Sequence, residues 1–174
     1  MSLLVYTENW NGKFKKLSLE LVSYASGVAE MLKSEVTAVT IGPVEDSELI
    51  RLAEYGASRI IVAEHDLLKE YDSLTYASVI ASLVKKEGAD VVILSNNNQG
   101  KGVAPVVAAK LTAGLAAGVT GLPLSTEPFT IVKRAYSGNA FTHLVINSAI
   151  RVLTLSQNSF ELKSKRVDAV IEKY

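Results

Sequence analysis

Short runs of apolar residues alternate with longer stretches of helical periodicity along the first two thirds of the chain. Leu3–Tyr6 (LLVY) is apolar throughout and is followed at once by Glu8 and Asn9, the pattern of a strand buried on both faces leaving a sheet. Phe14, Leu17, Leu21, Ala25, Val28 and Leu32 then recur at steps of three and four, which predicts a helix over about residues 15–33 with one apolar face. Val36–Ile41 (VTAVTI) is β-branched and stops at Gly42-Pro43. Asp46 or Ser47 can cap a short helix that Gly56 ends, and Ile60–Ala63 is a third buried run. A helix opening near Ser73 or Thr75 carries Tyr76, Val79, Ile80, Leu83 and Val84 on one face and stops at Gly88. Val91–Leu94 is a fourth buried run, NNNQGKG reads as a loop, and Ala104–Leu111 as a helix ending near Gly114.

Beyond Gly114 small residues dominate up to Pro123. Phe129–Tyr136, Ala140–Asn147 and Ile150–Leu155 are strand-like, and their short separations predict hairpins. The pattern as a whole predicts an α/β fold: a three-layer, doubly wound, mostly parallel sheet with helices on both faces and added antiparallel strands after residue 125. Residues 1–160 form a single domain on this reading. Residues 161–174, which include VDAVI, form a last strand or a linker.

Composition narrows the function. With 174 residues there is room for one sizeable core. Lys+Arg and Asp+Glu both number 18, and no basic block exists, which argues against a nucleic-acid partner. Cysteine is absent, which removes disulfides, thiolate metal sites and thiol nucleophiles. The two histidines, His65 and His143, are far apart, and His65-Asp66 reads as a capping or solvated pair. Leu111–Thr126 is too short and too rich in Gly and Thr to span a bilayer, and the N-terminus lacks a secretory pattern; a cytoplasmic protein without membrane insertion is expected.

Two segments are candidates for recognition. Asn96, Asn97, Asn98, Gln99, Gly100 and Lys101 follow a buried strand and precede a helix, the place where open α/β sheets bind ligands. Lys101 is followed by Gly102 and position 105 is Pro, so neither phosphate-loop motif is present; the plain alternative is a polar loop with Pro105 in the first turn of the helix. Tyr136, Ser137, Gly138 and Asn139 lie between two strand-like runs, and Gly138-Asn139 can supply the positive φ angles of a tight turn. No catalytic constellation is present. Trp10, the sole tryptophan, serves equally well as an interface anchor or as cover for the core edge.

The series LLVYTE, YGASRIIVAE, GADVVILSNNNQGKGVAPVVAAKLTAGL and VKRAYSGNA resembles, in order, the N-terminal domain of the electron transfer flavoprotein alpha subunit. The resemblance runs from about residue 3 to about residue 155. The chain differs from the family's usual pattern at Asn96–Asn98, Pro105-Val106, Gly118 and Lys133-Arg134, which marks it as divergent. The resemblance implies an adenine nucleotide alpha hydrolase-like fold and an electron carrier subunit that is not itself an enzyme. It implies pairing with an electron transfer flavoprotein beta subunit, and electrons taken from flavin dehydrogenases such as acyl-CoA dehydrogenase and passed to a quinone reductase. FAD would belong to the full-length subunit, in a C-terminal domain that residues 161–174 would lead to. No cofactor or metal is expected on this chain alone. Asn96–Lys101 and Tyr136–Asn139 would then face the partner or the FAD domain. The alternative is a stand-alone nucleotide-binding module of the stress-protein type.

Overall fold

The computed structural model describes residues 2–174; Met1 and the side chain of Ser137 lie outside the described residues. In chain order the elements are β1 (Leu3–Tyr6), β2 (Asn9–Trp10), β3 (Lys13–Phe14), α1 (Lys16–Leu32), β4 (Val36–Ile41), α2 (Asp46–Ala53), β5 (Arg59–Ala63), α3 (Ser73–Glu87) and β6 (Val91–Ser95). They continue with α4 (Asn98–Leu111), β7 (Gly114–Val119), β8 (Ser125–Thr126), β9 (Phe129–Ala135), β10 (Ala140–Val145), β11 (Arg151–Leu155) and β12 (Val170–Lys173).

The main sheet runs β10-β9-β7-β11-β6-β1-β4-β5-β12, and β8 pairs with β9. From β7 to β12 along this order every pairing is parallel. The period-two geometry of a strand divides its side chains between two cores. In β1, Leu3 and Val5 join α1 and α2 residues such as Leu21, Val28 and Leu52, whereas Leu4 and Tyr6 join α3 and α4 residues such as Ile80, Leu83 and Val107. This is the predicted α/β architecture with helices on both faces. The chain steps outward from β1 through β4 to β5 and then returns to pair β6 on the other flank of β1. With right-handed crossovers, that reversal moves α3 and α4 to the opposite face from α1 and α2.

Three local expectations are corrected. The small-residue stretch after the fourth helix is a strand, β7, in the parallel sheet. Of the three late strands, β9 and β10 form the expected antiparallel hairpin, but β11 is parallel and is inserted between β6 and β7. A short sequence gap suggested a hairpin there; the crossover is instead made by the whole β8–β10 excursion. Finally, α4 begins at Asn98 rather than near Ala104, so Pro105 lies in its second turn, not its first. There it removes the N–H that would reach the Lys101 carbonyl.

Among the described residues no helix covers the α1 face of β7 and β11. Phe129, Ile131 and Ile146, with Leu122 and Phe160 packed against them, fill that space. The segment after β11 is fastened by Glu20 of α1. Its carboxylate is almost fully buried and accepts three backbone N–H bonds, from Asn158 at 3.1 Å, Ser159 at 2.9 Å and Phe160 at 3.1 Å. A buried carboxylate is tolerated only when its oxygens are satisfied in this way. The chain then crosses α2, with Lys165 N–H on the Glu54 carbonyl and Val167 N–H on the Ala53 carbonyl, and ends as β12 beside β5.

Replacing Glu20 by Gln keeps the shape but turns an amide NH₂ toward peptide donors. The expected loss is about 1–3 kcal/mol of folding stability, read from urea unfolding. Faster proteolysis within residues 156–169 should accompany it. Wild-type stability with an unchanged cleavage rate would show that the clamp does not hold the segment.

Candidate functional site

The return of the chain at β1 leaves a crevice of about 350 Å³ where the C-terminal ends of β1 and β6 diverge. Such a topological switch point is the usual ligand position of an open α/β sheet. Leu17 and Leu21 of α1 contribute an apolar wall, and the polar lining includes Glu8, Lys15, Asn97, Asn98 and Gln99, with Trp10 beside them. Trp10 is exposed and carries the Lys15 ammonium 4.5 Å from its ring centre.

Glu8 organises the crevice. Its carboxylate accepts the hydroxyl of Ser95 and, at 2.7 Å, the side-chain amide of Asn97. Asn97 in turn caps α4: its Oδ1 accepts the Gly100 N–H at 2.8 Å. Gly100 is required here, because a Cβ would stand 1.8 Å from the Ser95 carbonyl oxygen. Gln99 donates from Nε2 to the Tyr6 hydroxyl at 3.0 Å, and its carbonyl accepts the Tyr71 hydroxyl at 3.3 Å. Burial, followed by the Glu8 charge and the neighbouring tyrosines, pushes the Tyr6 phenol well above its ordinary range, so it stays a neutral hydroxyl. A helix N-terminus ordinarily welcomes an anion. At this one a donor is taken by the cap, the cap is held by a carboxylate, and a phosphate brought to the crevice would meet that negative charge.

Asn96 faces the other way. Its N–H bonds the Leu155 carbonyl at 2.9 Å, and its Oδ1 accepts from Thr154 Oγ1 at 2.9 Å. It lines a second cleft, of about 730 Å³, together with Tyr136 and Gly138. The structure therefore joins Asn96 to the Tyr136–Asn139 turn and places Asn97, Asn98 and Gln99 in the switch-point crevice. Lys101 is exposed on α4. Asn139 is exposed and lies outside both linings; its N–H bonds the Tyr136 carbonyl at 3.1 Å. The positive φ angles of this turn fall on Tyr136 (50°) and Gly138 (95°), whereas Asn139 is at −80°, which corrects the expected Gly138-Asn139 pair. The left-handed region is costly for an aromatic residue, yet Tyr136 is 83% exposed.

Glu8 was legible only as a strand end; its position just after the strand where the sheet order reverses was the available signal. Lys133 and Arg134 also line the second cleft. His65 spends Nδ1 on the Leu67 N–H at 3.2 Å, which fits its reading as a cap, and His143 lies exposed on β10. Among the described residues no three His, Asp or Glu side chains are grouped to hold a metal. Both clefts open at the C-terminal edge of the sheet, one on each side of Asn96–Asn97.

A model of the electron transfer flavoprotein domain matches residues 3–173. The chain is 30% identical to an electron transfer flavoprotein subunit alpha of Clostridium acetobutylicum over 143 residues, covering 81% of the chain and 43% of that protein. It is 26% identical to the corresponding subunit of Bacillus subtilis over 163 residues, covering 94% of the chain and 50% of that protein. An acryloyl-CoA reductase electron transfer subunit beta of Anaerotignum propionicum is 30% identical over 125 residues, 72% of the chain and 34% of that protein. The chain spans half or less of the length of these relatives.

Removal of the cap tests the pinned helix start. Asn97→Ala should cost about 1 kcal/mol and speed amide exchange at Gly100. Gly100→Ala should cost more, about 3 kcal/mol, because backbone must move. Equal, negligible losses in denaturant midpoints would contradict the close approach of α4 to the end of β6.

Proposed function

The chain belongs to the electron transfer flavoprotein family, and from this premise we propose that it is the partner-packing N-terminal domain of an alpha-type subunit. Its work is structural. It pairs with a beta-type subunit and supports a flavin-carrying part, while the electrons pass through the flavin. In the assembled carrier they come from a flavin dehydrogenase and leave for a quinone reductase, in the cytoplasm. Among the described residues no helix is long and apolar enough to cross a membrane.

The observation that carries this reading is the family match over nearly the whole chain, set beside relatives of which the chain covers only 34–50%. The geometry supports it in two ways. The switch-point crevice offers FAD no phosphate site, since its loop has no glycine-rich phosphate motif and the Glu8 carboxylate offsets the charge of Lys15 in the lining. FAD is therefore assigned to the fuller subunit and no step is placed on it here. β12 ends at Lys173 on the C-terminal edge of the sheet, the edge that carries both clefts and the Tyr136 turn. Residues 1–160 on this reading form the domain proper and 161–174 its last strand and the start of a link. The same crevice chemistry counts against a stand-alone nucleotide module bound at the switch point.

Coexpression with the matching beta-type chain tests the reading. A stable complex by size-exclusion chromatography and native mass spectrometry is expected. Tyr136→Ala and Asn139→Ala should each weaken it several-fold, since truncating an aromatic interface anchor costs about 1–2 kcal/mol. A complex that never forms would overturn the proposal, and one that forms with unchanged affinity in both variants would remove the turn from the interface.

A further inference from the structure

We propose that the second cleft, between the β9–β10 hairpin and the C-terminal ends of β7 and β11, binds a phosphorylated small molecule. The cleft follows from the way the hairpin is attached. Val119 and Lys133 form the one pairing between β7 and β9. Ala117 and Gly118 of β7 have no strand partner on that side, and the space beside them opens to about 730 Å³. That volume suits a nucleotide-sized ligand.

Its charge is distinctive. Lys133 and Arg134 line it, and no lining residue is acidic. Arg51, Arg59, Lys69, Lys165 and Lys173 each reach a carboxylate; Lys133 and Arg134, like most of the chain's cations, make no ion pair among the described residues, and these two share one cleft. Asn96, Ser156 and Gln157 add amide and hydroxyl groups. Glu20 lies under the adjoining loop, but its oxygens are bound to the N–H groups of residues 158–160. The two clefts that flank the 96–101 segment thus differ in charge: Glu8 and Lys15 balance in one, whereas Lys133 and Arg134 line the other with no carboxylate. Cations without internal partners suit phosphoryl oxygens, which accept several charge-assisted hydrogen bonds at once. Tyr136 and Phe141, 83% and 66% exposed, also line the cleft and offer rings to an aromatic base.

This inference does not depend on a beta-type partner. Its failure leaves the family reading standing, and a missing complex leaves it untouched. The test is calorimetric titration of the 174-residue chain with inorganic pyrophosphate and with ADP, at low and at physiological salt. One saturable site is expected, weakening as salt rises. Consecutive strand residues point to opposite faces, so Lys133→Gln and Arg134→Gln are measured separately. At least one should weaken binding about tenfold, and Lys110→Gln, a distant exposed site on α4, should not. Tighter ADP than pyrophosphate, with the difference lost in Phe141→Ala, identifies a nucleotide; equal affinities identify the phosphate group alone. Circular dichroism confirms that each variant is folded. No saturable heat with either probe, or binding unchanged in both charge variants, overturns the proposal.

Discussion

A parallel sheet has to be crossed in the right-handed sense, and in this molecule that constraint decides where everything else lies. The chain reverses at β1, so the loops after β1 and β6 leave the sheet side by side in opposite directions. Glu8 from one loop and Asn97 from the other meet only because of this reversal, and their contact sets the start of α4. The same reversal uses up α1 and α2 on one face before β7 and β11 are added. That face is left short of a helix, and the molecule completes it with the hairpin, Leu122 and Phe160. Glu20 belongs to the same solution. It satisfies the peptide groups of the segment that must run over the gap, so the segment can be packed without leaving donors unpaired.

What could be read from the sequence follows from the range of the forces involved. β1, β4, β5 and β6 were plain because strands buried on both faces must be apolar throughout, whatever their neighbours. β7 was hidden because GLAAGV carries small residues that have no pattern of their own. Its identity as a strand comes from β11 beside it, a partner more than thirty residues away. The placement of β11 was lost for the same reason, since a short gap in sequence says nothing about which strand lies next in space. The early start of α4 depends on one side-chain bond, Asn97 to the Gly100 N–H, in a run of Asn and Gly that local preference assigns to a loop.

The candidate segments were found partly by position after a strand and partly by family resemblance, but their division between two clefts was not legible. Asn96 and Asn97 are adjacent and chemically identical. One turns to Thr154 on β11 and the other to Glu8 after β1, and only the tertiary partners distinguish them. Electrostatic character was out of reach for the same reason. A chain with 18 cations and 18 anions has no net signal, and the local sign comes from which charges find partners. Arg59 meets Glu87 and Glu172 from distant elements, while Lys133 and Arg134 lie on a strand whose neighbours bring no carboxylate to the cleft.

Tyr136 combines a left-handed backbone with an exposed aromatic ring. A left-handed backbone costs an ordinary residue about 1–2 kcal/mol, and burial of the ring would be the usual compensation. Here the ring is turned to solvent, so ring packing does not offset the strain. The surrounding geometry nonetheless holds it there: Gly138 takes the second positive φ, and the Asn139 N–H closes the turn on the Tyr136 carbonyl. A turn of this shape presents an aromatic side chain outward beside the second cleft. The same backbone region is taken by Lys33 and Thr112 where they close α1 and α4, so the feature that sets Tyr136 apart is its exposed ring rather than its φ alone.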